Sequence, residues 1–296
     1  MDNPEDLAVR IYQLCLKLKK QRPLIHVVTN FVVMNQTANV LLAMGAAPTM
    51  SWATEDLEYI SGISDGLCVN IGTPTRERVE TMATLMELAE ASDKPLVLDP
   101  VGAGAGPYRT KIARRLSAVA PHKIIRGNIS ELSSLTDDNS SPQGENNAVS
   151  AAEAKKILIN HGRTGEHTAG GQGPGLELKS GQLLKEHASC LLVSGKEYMI
   201  TDASQALILK NGSPLMNVVT GTGCILSAMT AAFYAVSRTP FEAATAACAT
   251  AGIAGELAAE KSAGPGTFLS NFIDVLYTLD LPAITSRLRA EYIRLP

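Results

Sequence analysis

No uninterrupted run of about eighteen apolar residues occurs in the 296-residue chain, so a membrane-spanning helix is not expected. The closest stretch, "AATAACATAGIAGELAA" (243–259), is broken by Thr and Gly and ends at charges, and reads as a close-packed buried helix. The opening "MDNPEDLAVR" is acidic and has no apolar signal core, which predicts no secretion. Cysteine is sparse and scattered: Cys15, Cys68, Cys190, Cys224 and Cys248 show no C-x-x-C spacing. That pattern argues against a disulfide framework and a structural zinc site and suits a reducing cytoplasm. Neither sign of charge dominates, with 26 basic and 29 acidic residues and a net charge of −3, so the chain carries no footprint for nucleic acid. The one basic cluster, "KLKKQR" (17–22), reads as a solvated helix end. No internal repeat and no clean linker is visible, so residues 1–296 are expected to form a single domain.

Against these absences stands a regular alternation. "LIHVVTN" (24–30), "GLCVNIG" (66–72), "PLVLDPVG" (95–102), "KIIRGN" (123–128) and "SCLLVSG" (189–195) are short apolar runs, each ending in Gly, Asn or Asp. Continuous apolar runs suit strands buried on both faces of a parallel sheet. Between them, Ala38, Leu41, Leu42 and Gly45 follow helical spacing, and residues 74–94 read as a long amphipathic helix. The alternation predicts an α/β layered fold. After Ser194, "YMITD" and "ALILKNG" predict a hairpin, followed by helices to the end. The segment from Thr136 to Gly181 is rich in Gly, Ser and Asn, a loop composition that predicts a mobile region.

Ligands of open α/β sheets bind beyond the carboxyl ends of the strands. Asn30, Gly72, Asp99, Arg126 with Asn128, and Ser194 all collect there, as a shared active-site rim requires. In "LDPVGAGAG" (98–106), Asp99 followed by small residues suits metal or phosphate contact, and equally a capped turn. In "IIRGNISEL" (124–132), Arg126 suits nucleotide phosphates. Asn128 with Glu131 suits either the water shell of Mg²⁺ or a capping box at a helix start. The "GTGC" of "VVTGTGCILSAMTAAFYAV" (218–236) precedes an apolar helix pattern, so its unpaired amides form an anion cradle. It is neither a Walker A loop nor a dinucleotide fingerprint. Cys224, at that helix start, is predicted to have a lowered thiol pKa. A covalent nucleophile needs a base, and none of His26, His122, His161, His167 and His187 sits in a partner motif. A packed, inert Cys is the alternative.

Taken in order, "PLIHVVTNFVVMNQTANVLLAMGAAPTM", "CVNIGT", "LDPVGAGAGPYRT", "IIRGNISE", "VSGKEYMITD", "NGSPLMNVVTGTGC" and "GPGTF" resemble the hydroxyethylthiazole kinase family. The resemblance covers most of the chain outside 133–188. It implies the ribokinase-like fold, a three-layer α/β/α architecture with a central, mostly parallel sheet. The implied activity is ATP- and Mg²⁺-dependent phosphorylation of the primary alcohol of 4-methyl-5-(2-hydroxyethyl)thiazole, in thiamine biosynthesis and salvage. By the same resemblance, Met50, Asn30, Val32, Gly72 and Gly221 match substrate positions, and Arg126, Ser194 and Asn128 match the nucleotide side. Asp99 and Glu131 match acids near Mg²⁺. Gly221, Thr222, Gly223 and Cys224 match the catalytic turn, with Cys224 where most ribokinase-like enzymes place an Asp base. A homotrimer with its pocket at subunit interfaces is also implied. The family's Gly-Val-Asp segment, expected between the N-x-x-E element and Ser194, has no counterpart here. The alternatives are a ribokinase-like kinase of hydroxymethylpyrimidine or pyridoxal type, disfavoured by "GTGC", and a non-catalytic thiazole-binding trimer.

Overall fold

Along each central strand, buried side chains alternate between two separate apolar clusters. Ile25 and Val27, Cys68, Val97, Ile124, and Cys190 with Leu192 face one cluster. Val28, Leu67 with Val69, Leu96 with Leu98, Ile125, and Leu191 with Val193 face the other. A period-2 chain with apolar residues on both sides must be covered on both sides, which produces a helix–sheet–helix sandwich. The computed structural model describes residues 4–136 and 180–293. The loop expected to be mobile, and the place of the missing Gly-Val-Asp segment, lie almost wholly outside the described residues.

The sheet has nine strands in the order β2-β1-β3-β4-β5-β6-β7-β8-β9. β1 (Leu24–Val28), β2 (Ala47–Thr49), β3 (Gly66–Asn70), β4 (Leu96–Asp99), β5 (Ile124–Asn128) and β6 (Cys190–Ser194) run parallel. β7 (Tyr198–Thr201) and β8 (Ala206–Leu209) form the expected antiparallel hairpin, and β9 (Ala290–Ile293) pairs with β8. β2 and β9 were not legible in the sequence. Each is a short edge strand of three or four half-buried residues, without an apolar run to reveal it.

One face of the sheet is covered by α1 (Pro4–Gln21), α2 (Met34–Met44), α8 (Thr222–Tyr234), α9 (Pro240–Lys261) and α10 (Pro265–Thr278). The other carries α4 (Arg76–Ala91), α5 (Pro107–Ser117), α6 (Ile129–Ser133) and α7 (Ser180–Glu186). Two short α-helices, α3 (Leu57–Ile63) and α11 (Leu281–Arg287), and two 3-10 turns, Thr54–Asp56 and Pro214–Val218, complete the described helices. The basic run 17–22 is indeed the end of α1, where Lys17 and Lys19 donate to the carbonyls of Val236 and Tyr277. α9 is buried along most of its length, and its small residues admit neighbouring backbone: a Cβ on Gly252 would meet Asn211 O at 2.8 Å. No described helix is long and apolar enough to cross a membrane.

Two features of this topology place the site. From β1 the chain goes to β2 on one side and then to β3 on the other, so a crevice opens between the carboxyl ends of β1 and β3. Register does the rest: Asn70 pairs with Asp99, and Asn128 with Ser194. Polar strand-end residues far apart in sequence therefore stand side by side.

Candidate active site

α8 begins beneath those strand ends. Gly221 is its N-cap, with φ of +94°, a left-handed conformation that costs an L side chain about 1–2 kcal/mol. A Cβ there would also lie 2.4 Å from Val33 Cγ1. The first intrahelical bond runs from Ile225 N to Gly221 O (2.8 Å), which leaves the amides of Thr222, Gly223 and Cys224 pointing out of the helix start. The Thr222 hydroxyl donates to Met216 O (2.8 Å) and ties the turn to the preceding loop. The turn thus has the shape and charge of an anion cradle.

A continuous polar chain crosses in front of the cradle. Asn30 Nδ2 lies 3.4 Å from Cys224 Sγ and donates to Asn70 Oδ1 (3.1 Å). Asn70 Nδ2 donates to Asp99 Oδ2 (2.8 Å), which also accepts from Ser227 Oγ (2.6 Å). Arg126 Nη1 stands 3.7 Å from the same Asp99 oxygen, while its Nη2 donates to Ser194 Oγ (2.9 Å). Two glycines allow this density. A Cβ on Gly72 would lie 2.8 Å from Asn30, and one on Gly223 would lie 2.8 Å from Arg126 Nη2. Asn30, Gly72, Asp99, Arg126, Ser194, Gly221, Gly223 and Cys224, drawn from five strand ends and one helix start, therefore meet in one place.

The N-x-x-E element serves as cap and acid together. Asn128 Oδ1 accepts from Glu131 N (2.9 Å), and Glu131 Oε2 accepts from Asn128 N (2.8 Å), a complete capping box. Glu131 Oε1 accepts from Gly102 N (2.9 Å), which brings the turn after Asp99 against α6. Val32 lies at the rim, exposed, with its amide held by Asn30 Oδ1 (3.1 Å). Met50 follows β2 and packs half-buried against the apolar cluster under β1, off the polar chain.

Burial governs the electrostatics here. Asp99 is fully buried and its carboxyl is raised above the usual range by desolvation, opposed by Arg126, Ser227 and Asn70. Glu131 is raised for the same reason, reinforced by Asp99. The lowered pKa expected of Cys224 is not what the fold produces. Desolvation first, and then the nearby Asp99, push the thiol up to about 11, outweighing Arg126, Asn70 and Asn30. A helix terminus shifts a group by about 1 kcal/mol when exposed, and desolvation by burial, with a neighbouring carboxylate added, overrides that. Cys224 is a neutral thiol at pH 7.

Asn70 and Ser227 escaped the sequence reading although both touch Asp99. The available signals were an Asn ending a strand in "CVNIG" and a Ser three residues after Cys224 on the same helix face. Among the described residues no group of three or more His, Cys, Asp or Glu is arranged to enclose a metal ion.

A helix-start cradle of unpaired amides at the topological switch point, with a buried Arg and two buried acids nearby, is the arrangement a ribokinase-like small-molecule kinase needs. A 1.80 Å ribokinase-like superfamily protein from Enterococcus faecalis shares the fold alone, at TM-score 0.62 and 12% identity over 90% of this chain and 89% of that one. The particular family follows from sequence. The profile of the hydroxyethylthiazole kinase family matches residues 15–164 and 175–281, and the chain belongs to that family. The hydroxyethylthiazole kinase of Granulibacter bethesdensis is 40% identical over 277 residues, 93% of this chain and 92% of that protein. The structure of the hydroxyethylthiazole kinase protein from Pyrococcus horikoshii superposes with TM-score 0.81 and 34% identity, covering 96% of this chain and 99% of that one.

Proposed function

We propose that this kinase transfers the γ-phosphoryl group of ATP to the primary alcohol of 4-methyl-5-(2-hydroxyethyl)thiazole. The observation that carries this reading is the unbroken polar chain Asn30–Asn70–Asp99–Arg126–Ser194 lying against the cradle of Gly221–Cys224. It joins an alcohol-side crevice to a cationic nucleotide side. Asn30, Val32, Met50, Gly72 and Gly221 would border the thiazole, and Arg126, Ser194 and Asn128 the nucleotide. The amides of 222–224 would stabilise charge on the transferred group. A loose, in-line transition state asks for positioning more than for a strong base, which suits a Cys224 that stays neutral.

The acids fit Mg²⁺. Asp99 Oδ1 is buried without a hydrogen-bond partner, an orphan acceptor that a hard cation or its water would satisfy. Asp99 would hold the ion with Glu131 beside it, although both Glu131 oxygens already accept amides. When bound, Mg²⁺ supplies neutralisation of phosphate charge. The same reading extends to one kinase domain acting as a cytoplasmic homotrimer with active sites at subunit interfaces. Its support is the apolar rim, where Phe31 and Val32 are 55% and 59% exposed, and light scattering tests the trimer.

The deciding experiment is an ATP-dependent phosphorylation assay with the thiazole alcohol beside hydroxymethylpyrimidine and pyridoxal. Turnover of the thiazole is expected. Turnover of another alcohol alone would replace the substrate, and turnover of none would leave a binding protein.

A further inference from the structure

Three segments form the wall of the alcohol side: 29–33 after β1, 50–52 after β2, and 72–75 after β3. One helix holds the first two. Arg78 and Thr81, three residues apart on α4 and therefore on one face, are both buried. Arg78 Nη2 donates to the carbonyl of Thr29, and Thr81 Oγ1 donates to that of Trp52 (3.2 Å). The Arg78 guanidinium also lies 4.3 Å from the Phe31 ring centre and 5.3 Å from that of Trp52, and the two rings meet edge to face at 5.7 Å. The second segment is also held by buried His26, whose Nε2 donates to Ser51 O (2.7 Å).

Arg78 is 2% exposed, and its Nε and Nη1 have no hydrogen-bond partner. A buried, incompletely satisfied guanidinium is a poor way to stabilise a fold, since an apolar side chain of similar volume commonly does as well or better. Such a local conflict is expected where a residue serves a site. Its two rings and its carbonyl all belong to segments that carry the proposed substrate residues Asn30, Val32 and Met50.

We infer that Arg78 is a positioning residue for the alcohol acceptor: with Thr81 it brackets segments 29–33 and 50–52 and fixes them relative to each other beside the crevice. The inference rests on the alcohol side proposed above. Cation–π and carbonyl contacts act together, because the guanidinium charge lies close to both rings while its Nη2 fixes the Thr29 peptide next to Asn30. The nucleotide side, built from the ends of β5 and β6, shares none of these contacts.

Trp52 is the only tryptophan in the chain, so its fluorescence reports on the bracket without any need for turnover. The test is titration of the full-length protein with the thiazole alcohol, followed by Trp52 emission, together with steady-state kinetics for both substrates. R78M is expected to weaken alcohol binding and raise its KM about tenfold while the KM for ATP stays within about twofold. The melting temperature is expected to hold or rise. R78K, which keeps the charge and the carbonyl bond but not the planar guanidinium, should recover part of the loss, and T81V should show a smaller effect of the same kind. Unchanged alcohol affinity in R78M would overturn the bracket, as would a loss shared equally by ATP affinity and melting temperature. Wild-type protein that neither binds nor phosphorylates the thiazole overturns the alcohol-side reading instead.

Discussion

Gly223 is the position where one methyl group tests the cradle. A Cβ there would stand 2.8 and 2.9 Å from Arg126 Nη2 and Nη1, at least about 0.5 Å inside ordinary contact. The guanidinium is buried and already committed, donating to Ser194 Oγ at 2.9 Å and lying 3.7 Å from Asp99 Oδ2. It can retreat only by stretching one of these. Loss of one hydrogen bond from a charged group costs about 1.5–3 kcal/mol, which is about 10- to 150-fold in kcat/KM. Stability moves less, because overpacking costs about 1–3 kcal/mol while replacing Gly by Ala in a helix returns up to about 1 kcal/mol. Steady-state kinetics of G223A should therefore show kcat/KM for ATP reduced 10- to 150-fold, by the arithmetic above, with a melting temperature lowered by several degrees at most, on the order of 2–4 °C per kcal/mol. A G223A enzyme within about twofold of wild type for ATP would refute the claim that Arg126 must lie flat against this glycine.

Other perturbations probe the thiol and the frame. C224D is expected to keep turning over and C224A to be weakened, and a fully active C224A would remove Cys224 from any role in proton transfer. Because burial holds the Cys224 thiol at about 11, alkylation by iodoacetamide, mapped by mass spectrometry, should be slow at pH 8, rise about tenfold per pH unit and level off only near pH 11. The sign for stability is the same: an unfolded thiol ionises near 9 and the folded one later, so this group's contribution is intact below pH 9 and falls as pH rises towards 11. Lys123, fully buried, donates to Ser117 O, Val119 O and Ala120 O at 2.6–2.8 Å and closes the end of α5. Burial pushes its amine down to about 7, so at pH 6 the bonds come from an ammonium. There K123M should lose about 2–4 kcal/mol in denaturant unfolding, since three carbonyls are left unpaired.

Several elements were legible because their signal is local. Five strands and the β7–β8 hairpin announced themselves by apolar runs ending in turn residues, and α4 by its helical period. Polar groups at the strand ends marked the site because parallel strands in register must place their carboxyl ends together. Edge strands β2 and β9 carry no such signal, since half-buried residues show neither a continuous apolar run nor a clean alternation. Of the two readings of N-x-x-E, the capping box is the one the structure shows, and the same carboxylate stands beside Asp99.

What the sequence determined by itself was the layered α/β class, the family, and the chemical kinds of group at the strand ends. These depend on periodicity, turn chemistry and the order of motifs, each readable one segment at a time. Only the tertiary structure decided that Asn70 and Ser227 complete the Asp99 network and that Arg78 reaches the segments after both β1 and β2. It alone decided that Cys224 keeps its proton. Those outcomes depend on cross-strand register and on desolvation by residues as far away in the chain as Asp99 is from Ser227. A protonation state belongs to an assembled environment, and no stretch of sequence contains one.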